Sequence, residues 1–372
     1  MKTWKRYVIG GLSLVAVASL GIAGGIYYQS QINSKSNNTS SADSQLAATR
    51  VAESDRHYIF ELNEDVTREH VYYTNRYGVE IAADLYYPED MDQSQEYPAI
   101  VVGPPFGGVK EQSPGVYANE LAQRGFVVVA YDPAYHGYSG GQPRYSGSPD
   151  TYVEDFSAAI DYLGTLDYVN RDQIGALGIC ASGAFALGAA AQDTRISAVA
   201  TSVLYNIPDL AGSVTGDEWV QQLDAIGEQR WEDYENGTAA YNQNYPSEPQ
   251  ETLDTSDMDD VTAEFNEFYA TSRGWHENAL ANITVASNAS FMNFQVTNHI
   301  NEIQSPILMV TSKEAHSYNF TTDLYAQITP GKAELYVADK GCHIDFYDNT
   351  DNVIPFDEFE RFFKENLGVT EG

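Results

Sequence analysis

Residues 178–182 hold the side chains best placed to do covalent chemistry. The run Gly178-Ile179-Cys180-Ala181-Ser182 follows a short apolar stretch and leads directly into an alanine-rich stretch of helical character. This order predicts a strand, a sharp turn and a helix with no linker between them. Such a turn exposes the side chain at its apex and requires small residues two positions before and after it, because the strand and helix backbones nearly touch. Gly178 and Ser182 occupy these positions, so Cys180 is predicted to be a nucleophile.

Two other interpretations of this turn stay open. If Ser182 were the nucleophile, the small positions would fall on Cys180 and Ala184, and cysteine is bulkier than the glycine this position favours. The strand would also have to extend two residues into the helical stretch. Alternatively, Cys180 is a small buried core residue, as free cysteines often are. The complete strand–turn–helix context favours Cys180 over both.

The position of His343 in the chain indicates that it is the base that takes the nucleophile's proton. In architectures with this nucleophile turn, the chain order is nucleophile, acid and histidine. His343 follows the last predicted strand, residues 333–337, which places it at the same edge of the sheet as the nucleophile. His136 and His316 are the alternatives.

Glu314 is predicted to orient the base. It is the first carboxylate after the predicted strand at 306–311, where the chain order places the acid, although the spacing is slightly loose. Asp323 is the alternative. Because a thiol is far more acidic than a serine hydroxyl, the orienting acid has less work to do beside a cysteine.

The oxyanion donors are predicted to be the backbone N–H groups of Ala181 and Phe106. The first follows the nucleophile, and the second belongs to the loop after the predicted strand at 98–103. Pro104 and Pro105 have no N–H, so Phe106 is the first donor available in that loop. Glu111, slightly further along, is interpreted as a charge on a helix surface.

Apolar runs alternate with helical patterns along most of the chain, which predicts an α/β fold on a mainly parallel sheet covered on both faces. Residues 206–303 break this rhythm, because they are acidic, aromatic and helical in pattern with no buried strand. We interpret them as a helical cap over the carboxyl ends of the strands, where ligands bind in open α/β sheets. Residues 56–205 and 304–372 would form the core. Candidate pocket walls in the cap are Trp231, Phe265, Trp275 and Phe291.

Residues 1–28 predict a membrane anchor or a signal segment. Positive charges precede an uncharged stretch, residues 7–28, that is long enough to span a bilayer. The positive-inside rule then places the rest of the chain outside the cytoplasm, and residues 29–55 would be a flexible linker. The expected localisation is a cell membrane crossed once, with the catalytic domain extracellular. Cleavage after Ala16-Val17-Ala18 would instead make the protein secreted.

The formal net charge of −33 limits the classes of partner that this protein can bind. So acidic a chain is repelled by nucleic acid, which is therefore not an expected partner. Neither a metal-ligand spacing nor a phosphate-binding loop occurs in the sequence, and no cofactor or metal is expected. The expected partners are a small-molecule acyl substrate and, through residues 7–28, the membrane.

Five motifs resemble the dienelactone-hydrolase-like branch of the α/β-hydrolases, and more closely a bacterial group related to fungal polyketide transferases. They begin at Gly107, Gly140, Gly178, Glu314 and His343, and the likeness covers roughly residues 65–367. The resemblance implies an α/β-hydrolase fold and a Cys–His–acid triad. Dienelactone hydrolases place a glutamate beside the thiol, where this chain has Pro104 or Pro105. Dienelactone specificity is therefore not carried over.

These observations favour a hydrolase of esters or thioesters, or an acyltransferase to a small alcohol. Cys180 would attack, His343 would carry the proton and Glu314 would orient His343. The alternative is a non-catalytic cell-surface binding module on the same fold. Covalent labelling of Cys180 by an activated ester distinguishes the two.

Overall fold

The computed structural model describes residues 56–242, 245–280 and 283–369. The predicted anchor and linker, residues 1–28 and 29–55, lie outside these ranges. Across the described ranges, no helix has both the length and the apolar character needed to cross a bilayer. Even the 21-residue helix Gly216–Asn236 carries acidic side chains throughout. The predicted localisation, a single membrane pass with an extracellular catalytic domain, is corrected accordingly.

One sheet of eight strands organises the described chain, in the order β1-β2-β4-β3-β5-β6-β9-β10. Strand β2 pairs antiparallel with β1 and β4, and the remaining neighbours pair in parallel. The strands are β1 (Val66–Thr74), β2 (Glu80–Pro88), β3 (Tyr97–Gly103), β4 (Val127–Tyr131), β5 (Val169–Ile179), β6 (Ala198–Ser202), β9 (Ile307–Ser312) and β10 (Ala333–Ala338), with β7 (Tyr241–Asn242) and β8 (Ile283–Thr284) forming a separate pair.

Helices connect the parallel strands and cover the sheet. The helices are α1 (Ser113–Gln123), α2 (Pro149–Leu163), α3 (Ala181–Ala190), α4 (Ile207–Gly212), α5 (Gly216–Asn236), α6 (Asp260–Tyr269), α7 (Asn288–Asn293), α8 (Tyr318–Tyr325), α9 (Asp345–Asp348) and α10 (Phe356–Asn366), with short 3-10 turns at Val285–Ser287 and Thr350–Asn352. The predicted α/β class with a mainly parallel sheet is confirmed.

The buried strands follow from their sequences. Strands β4 and β6 are buried at every position, as are the last residues of β5, because helices cover a parallel sheet on both faces. The closing helix α10 places Phe356, Phe359 and Phe363 three to four residues apart, and all three are buried.

Parallel pairing brings the carboxyl ends of β3, β5, β6, β9 and β10 to one edge of the sheet. The loops that leave these ends carry the candidate site. Cys180 follows β5 directly, Phe106 follows β3, and His343 follows β10. The crevice at this edge is where ligands bind in open α/β sheets.

Residues 206–303 contribute helices α4 to α7 and the β7–β8 pair, and their described part adds no strand to the main sheet. The ring of Phe265 lies 5.6 Å from that of His343, and Phe291 lies 5.4 Å from Phe106. Trp231, by contrast, is 67% exposed. The division of the chain into core and cap stays a prediction, but two of its proposed wall residues touch the site.

Gly178→Ala is expected to destabilise the fold, because a Cβ at this position would overlap the backbone carbonyl of Ser182. Forced overpacking of this kind costs about 1–3 kcal/mol, and a clash with backbone falls at the upper end. Denaturant unfolding of the variant measures the loss.

Gly227→Ala is the matched control. Gly227 lies inside α5, and a Cβ there meets no atom within 4 Å. Alanine in a helix interior is favoured over glycine by about 0.5–1 kcal/mol, so this variant should be slightly more stable. Equal stability of the two variants would contradict the close approach of β5 and α3.

Candidate active site

Cys180 occupies the apex of the turn between β5 and α3 in a conformation that side chains rarely adopt. Its φ is +55° and its ψ is −120°. Backbone hydrogen bonds hold it there, since its N–H donates to Ser202 C=O at 2.9 Å and its own C=O accepts from Tyr205 N–H at 2.9 Å. Strain of this kind persists only where the surroundings determine the conformation, and it concentrates at functional sites.

Ser182 lies in the first turn of α3 and points away from solvent. Its hydroxyl donates to the carbonyl of Pro104, in the loop after β3. Ser182 and Gly178 therefore both support the turn between β5 and α3. Ser182 holds the neighbouring loop through its hydrogen bond, and Gly178 leaves room for the helix. The side chain at the apex is that of Cys180.

The two predicted oxyanion donors converge on the sulfur. The backbone N–H groups of Ala181 and Phe106 both donate to Cys180 Sγ. Gly107 has a φ of +75°, which suits glycine, and Gly108 N–H closes the loop on Pro105 C=O at 2.9 Å. Preformed donors beside a nucleophile can stabilise an oxyanion that develops on a bound acyl group.

A buried cluster of charges fixes the loop that carries Phe106. Lys110 N–H donates to Asp132 Oδ1 at 2.8 Å, and the Lys110 ammonium lies 3.7 Å from Asp132 Oδ2 and against Glu111. Burial lowers the pKa of Lys110, but the carboxylates of Asp132 and Asp84 raise it more, so the ammonium stays charged. Glu111 also pairs with Arg56 at 3.2 Å and is fully buried. Its interpretation as a helix-surface charge is wrong, because these cations draw it inward.

His343 is fully buried, and a hydroxyl occupies each of its ring nitrogens. Nδ1 lies 2.7 Å from Ser317 Oγ, and Nε2 lies 3.0 Å from the Tyr347 hydroxyl. Ser317 Oγ donates to the carbonyl of Val203 at 3.3 Å, so its lone pair is free to accept Nδ1–H. This arrangement assigns the proton to Nδ1 and leaves Nε2 as the acceptor that a general base requires.

Glu314 does not reach the imidazole. Its side chain is exposed, and its carboxylate accepts the N–H of Gly341 at 2.8 Å, which holds the start of the loop leading to His343. The predicted role of Glu314 as orienting acid is therefore corrected. Asp323 is exposed on α8, and Asp345 pairs with Arg273 at 2.9 Å, so neither carboxylate replaces it.

The carboxylate of Glu264 reaches the surroundings of His343 through a second histidine, His316. The ring of His316 stacks on that of His343, with centroids 4.5 Å apart. His316 Nδ1 is 3.0 Å from Glu264 Oε2, and Glu264 Oε1 accepts the N–H of Ile344 at 3.0 Å. Glu264 belongs to α6, in the inserted segment. The motif that begins at Glu314 thus contributes to the site His316, the alternative base of the sequence analysis, and Ser317, which the sequence did not single out.

His136, the other alternative base, lies in the loop after β4. Its Nδ1 is 3.0 Å from its neighbour Ala134 C=O, and its Nε2 is 3.4 Å from the Tyr152 hydroxyl. These contacts shape the loop. Within the described ranges, no group of three or more His, Cys, Asp or Glu side chains is arranged as a metal site.

The electrostatics of the site favour neutral forms. Burial raises the pKa of the Cys180 thiol to about 11, although hydrogen bonds that the thiolate form would accept from Tyr347, Ala181 and Phe106 oppose the shift. Burial, and then the neighbouring His316, hold the pKa of His343 well below its usual range. Near neutral pH the resting site therefore contains a thiol and an uncharged imidazole, not a thiolate–imidazolium pair.

Comparison with known proteins places this geometry in a family. A model of the family described as X-Pro dipeptidyl-peptidase (S15 family) matches residues 77–344, which include Phe106, Cys180 and His343. The chain belongs to this S15 family. Membership of a peptidase family, together with the observed fold, supports a hydrolase.

Two bacterial proteins are similar to this S15-family chain over most of its length. PA2218 of Pseudomonas aeruginosa is 41% identical over 341 residues, covering 89% of this chain and 88% of its own. Its crystal structure has a TM-score of 0.77 at 40% identity and covers 83% of this chain and 96% of that one. YcjY of Escherichia coli is 33% identical over 306 residues, 79% of this chain and 97% of its own.

A fungal protein shares part of the sequence, and the fold, of the S15-family chain. The polyketide transferase grgF of a Penicillium species is 31% identical over 105 residues, 28% of this chain and 36% of its own. The crystal structure of this α/β hydrolase has a TM-score of 0.65 at 21% identity, covering 81% of this chain and 99% of that one. The fold of the S15-family chain is that of the α/β hydrolases.

Alkylation of Cys180 by iodoacetamide should accelerate with pH well beyond neutrality. Only the thiolate reacts, and for a pKa of about 11 its fraction rises about tenfold per pH unit between pH 7 and 10. Peptide mass spectrometry separates this site from Cys342. A rate that is already constant at pH 7 would reveal a thiolate–imidazolium pair instead.

Ser317→Ala should lower kcat about tenfold, because the loss of one neutral hydrogen bond leaves Nδ1–H unpaired and costs about 1 kcal/mol or more. Glu314→Gln is the matched control, since the amide oxygen can still accept Gly341 N–H. We expect it to lower kcat less than twofold, as measured by ester turnover and compared with His343→Ala. A loss with Glu314→Gln as large as that with His343→Ala would show that the carboxylate moves onto the imidazole during catalysis.

Proposed function

We propose that this S15-family protein cleaves ester or thioester bonds of small acyl substrates, or transfers the acyl group, with Cys180 as nucleophile and His343 as base. The observation that carries the proposal is the position of Cys180 Sγ. The sulfur lies at the apex of the β5–α3 turn and accepts hydrogen bonds from two backbone N–H groups, Ala181 and Phe106. An acyl carbonyl bound to this sulfur would place its oxygen beside the same donors.

The reaction would proceed in two halves. Cys180 Sγ attacks the carbonyl carbon, a C–S bond forms, and the carbonyl electron pair moves to the oxygen held by Ala181 and Phe106. The thiol proton passes to His343 and then to the leaving alcohol or thiol, whose bond to the acyl carbon breaks. Water or an alcohol then attacks the acyl-enzyme, with His343 taking its proton. The C–S bond breaks, the acid or new ester leaves, and His343 returns the proton to Cys180 Sγ.

The nucleophile type favours activated acyl groups over amides. A tetrahedral intermediate on sulfur expels its better leaving group, and the enzyme's own thiol is a good one. An alkoxide or thiolate can compete with that thiol, whereas an amine leaves only after it has been protonated. The proposal therefore assigns esters and thioesters to this site, although the family is named for a peptidase.

The walls beside the oxyanion donors support an apolar acyl group. The ring of Phe106 packs edge-on against Phe291 at 5.4 Å and lies 6.0 Å from Tyr152, which stacks on Phe185 at 5.0 Å. Apolar lining with a few convergent polar groups is typical of small-molecule sites. One fungal relative is named a polyketide transferase. This resemblance supports acyl transfer as a second reaction for the site.

The substitution of Cys180 tests the nucleophile. We expect Cys180→Ala to lower kcat by at least about 10⁴-fold, as removal of a covalent nucleophile does. Cys180→Ser should retain little activity, because a hydroxyl needs a stronger base than a thiol does. The measurement is turnover, by the full-length protein, of p-nitrophenyl esters and acyl thioesters of increasing chain length, with an X-Pro p-nitroanilide included.

Ser182→Ala is the matched control for the choice of nucleophile. It removes only the hydrogen bond to Pro104, so it should lose less than about tenfold. Loss of all activity in Ser182→Ala with full activity in Cys180→Ala would reverse the assignment. If no substrate turns over and an activated ester leaves Cys180 unlabelled, the protein is a binding module. Preference for the nitroanilide would contradict the substrate class.

A further inference from the structure

The Tyr347 hydroxyl lies between the thiol and the imidazole. Tyr347 is fully buried in α9, four residues after His343, and its hydroxyl is 3.0 Å from His343 Nε2. The same hydroxyl lies close enough to the Cys180 thiol that each group shifts the pKa of the other. The nucleophile and the base are thus joined through a third side chain.

The hydrogen-bond directions around this hydroxyl form one consistent chain. Nδ1–H of His343 is donated to Ser317, so Nε2 has a lone pair and the Tyr347 hydroxyl must donate to it. The phenol oxygen then has lone pairs left for the Cys180 S–H. Every donor in the chain points the same way, from sulfur to oxygen to nitrogen.

Two aromatic side chains hold Tyr347 in place. Phe268 packs edge-on against its ring with centroids 5.2 Å apart, and Tyr269 interacts with its hydroxyl, whose second lone pair can accept the Tyr269 O–H. Both residues belong to α6. A phenol fixed in this way can keep its hydroxyl between two partners throughout a reaction.

We propose that Tyr347 is a catalytic residue that carries the proton from Cys180 to His343, an inference that rests on the function proposed above. As Sγ bonds to the acyl carbon, the S–H proton moves to the Tyr347 oxygen and the Tyr347 O–H proton moves to Nε2. The products of the step are a thioester-forming tetrahedral oxyanion, an unchanged phenol and an imidazolium. When the intermediate collapses, the Tyr347 O–H proton moves to the leaving heteroatom, whose bond to the acyl carbon breaks, and the Nε2–H proton of His343 replaces it on the Tyr347 oxygen. No external oxidant or cofactor takes part.

The relay is concerted, because neither of its charged intermediates is accessible. Burial first, and then the neighbouring thiolate form of Cys180, raise the pKa of Tyr347 well above its usual range, so a phenolate does not accumulate. A protonated phenol is still less stable. Both protons therefore move in the same transition state.

Tyr347→Phe tests the relay, because it removes one oxygen and keeps the ring. We expect kcat/KM, measured with a p-nitrophenyl ester that the wild-type enzyme turns over, to fall at least about 100-fold. A loss of this size is typical when a proton-transferring group is removed. The alkylation rate of Cys180 should change far less, since iodoacetamide needs the thiolate but no protonated base. Tyr73→Phe is the matched control, since its buried hydroxyl has no hydrogen-bond partner in the described chain, and it should keep wild-type activity.

Proton inventories of kcat/KM in mixtures of light and heavy water give an independent measurement. Two protons in flight predict a curved dependence on deuterium fraction in the wild type. A linear wild-type dependence, or undiminished kcat/KM in Tyr347→Phe, would overturn the relay and show that His343 takes the proton directly. If Tyr347→Phe does not fold, the wild-type inventory decides.

The outcome for the proposed function is read separately. If Cys180→Ala abolishes turnover while Tyr347→Phe leaves it intact, the relay fails and the proposed function stands. If Cys180→Ala leaves turnover intact, both fail.

Discussion

The close approach of β5 and α3 is the constraint on which the site depends. Because Gly178 has no side chain, the carbonyl of Ser182 can pass directly over it, and α3 begins without a linker. That geometry forces Cys180 to a φ of +55° and turns its side chain out of the sheet. The Ala181 N–H, as the first amide of the helix, is then aimed at the sulfur. One missing methyl group thus fixes the position of Cys180 and the direction of the Ala181 N–H.

Around this point the site is built from uncharged hydrogen bonds. The chain from Cys180 passes through Tyr347 to His343 and on through Ser317 to the carbonyl of Val203. Ionisable side chains surround these bonds. His316 stacks on the imidazole and is hydrogen-bonded to Glu264, and the cluster around Lys110 anchors the Phe106 loop. Such an arrangement avoids the cost of burying an unpaired charge beside an apolar pocket.

The strands and helices, and the placement of Cys180 and His343 at one edge of the sheet, could be predicted because local spacing encodes them. Five consecutive residues specify the turn that carries Cys180, and the order of His343 after the last strand places the histidine. Ser317 and Tyr347 could not be found in this way, because a hydroxyl in a loop or short helix leaves no pattern that distinguishes it from any other. Their roles arise from packing between segments that only the fold brings together.

The errors have the same origin. Glu314 is the first carboxylate after strand β9, yet its side chain accepts a hydrogen bond from Gly341 N–H and does not bind the imidazole. The charge of Glu111 is balanced by Arg56, 55 residues earlier, which no local pattern reveals. Sequence order locates a side chain along the chain, but competition among its spatial neighbours decides which partner it takes.

The protonated resting state of Cys180 also affects how readily oxidants and electrophiles modify the protein. Peroxides and adventitious electrophiles react with thiolates, and susceptibility follows thiolate character and exposure. A thiol with a pKa near 11 and 4% of its surface exposed offers little of either. The burial that raises the pKa of this thiol therefore also protects its sulfur from oxidation.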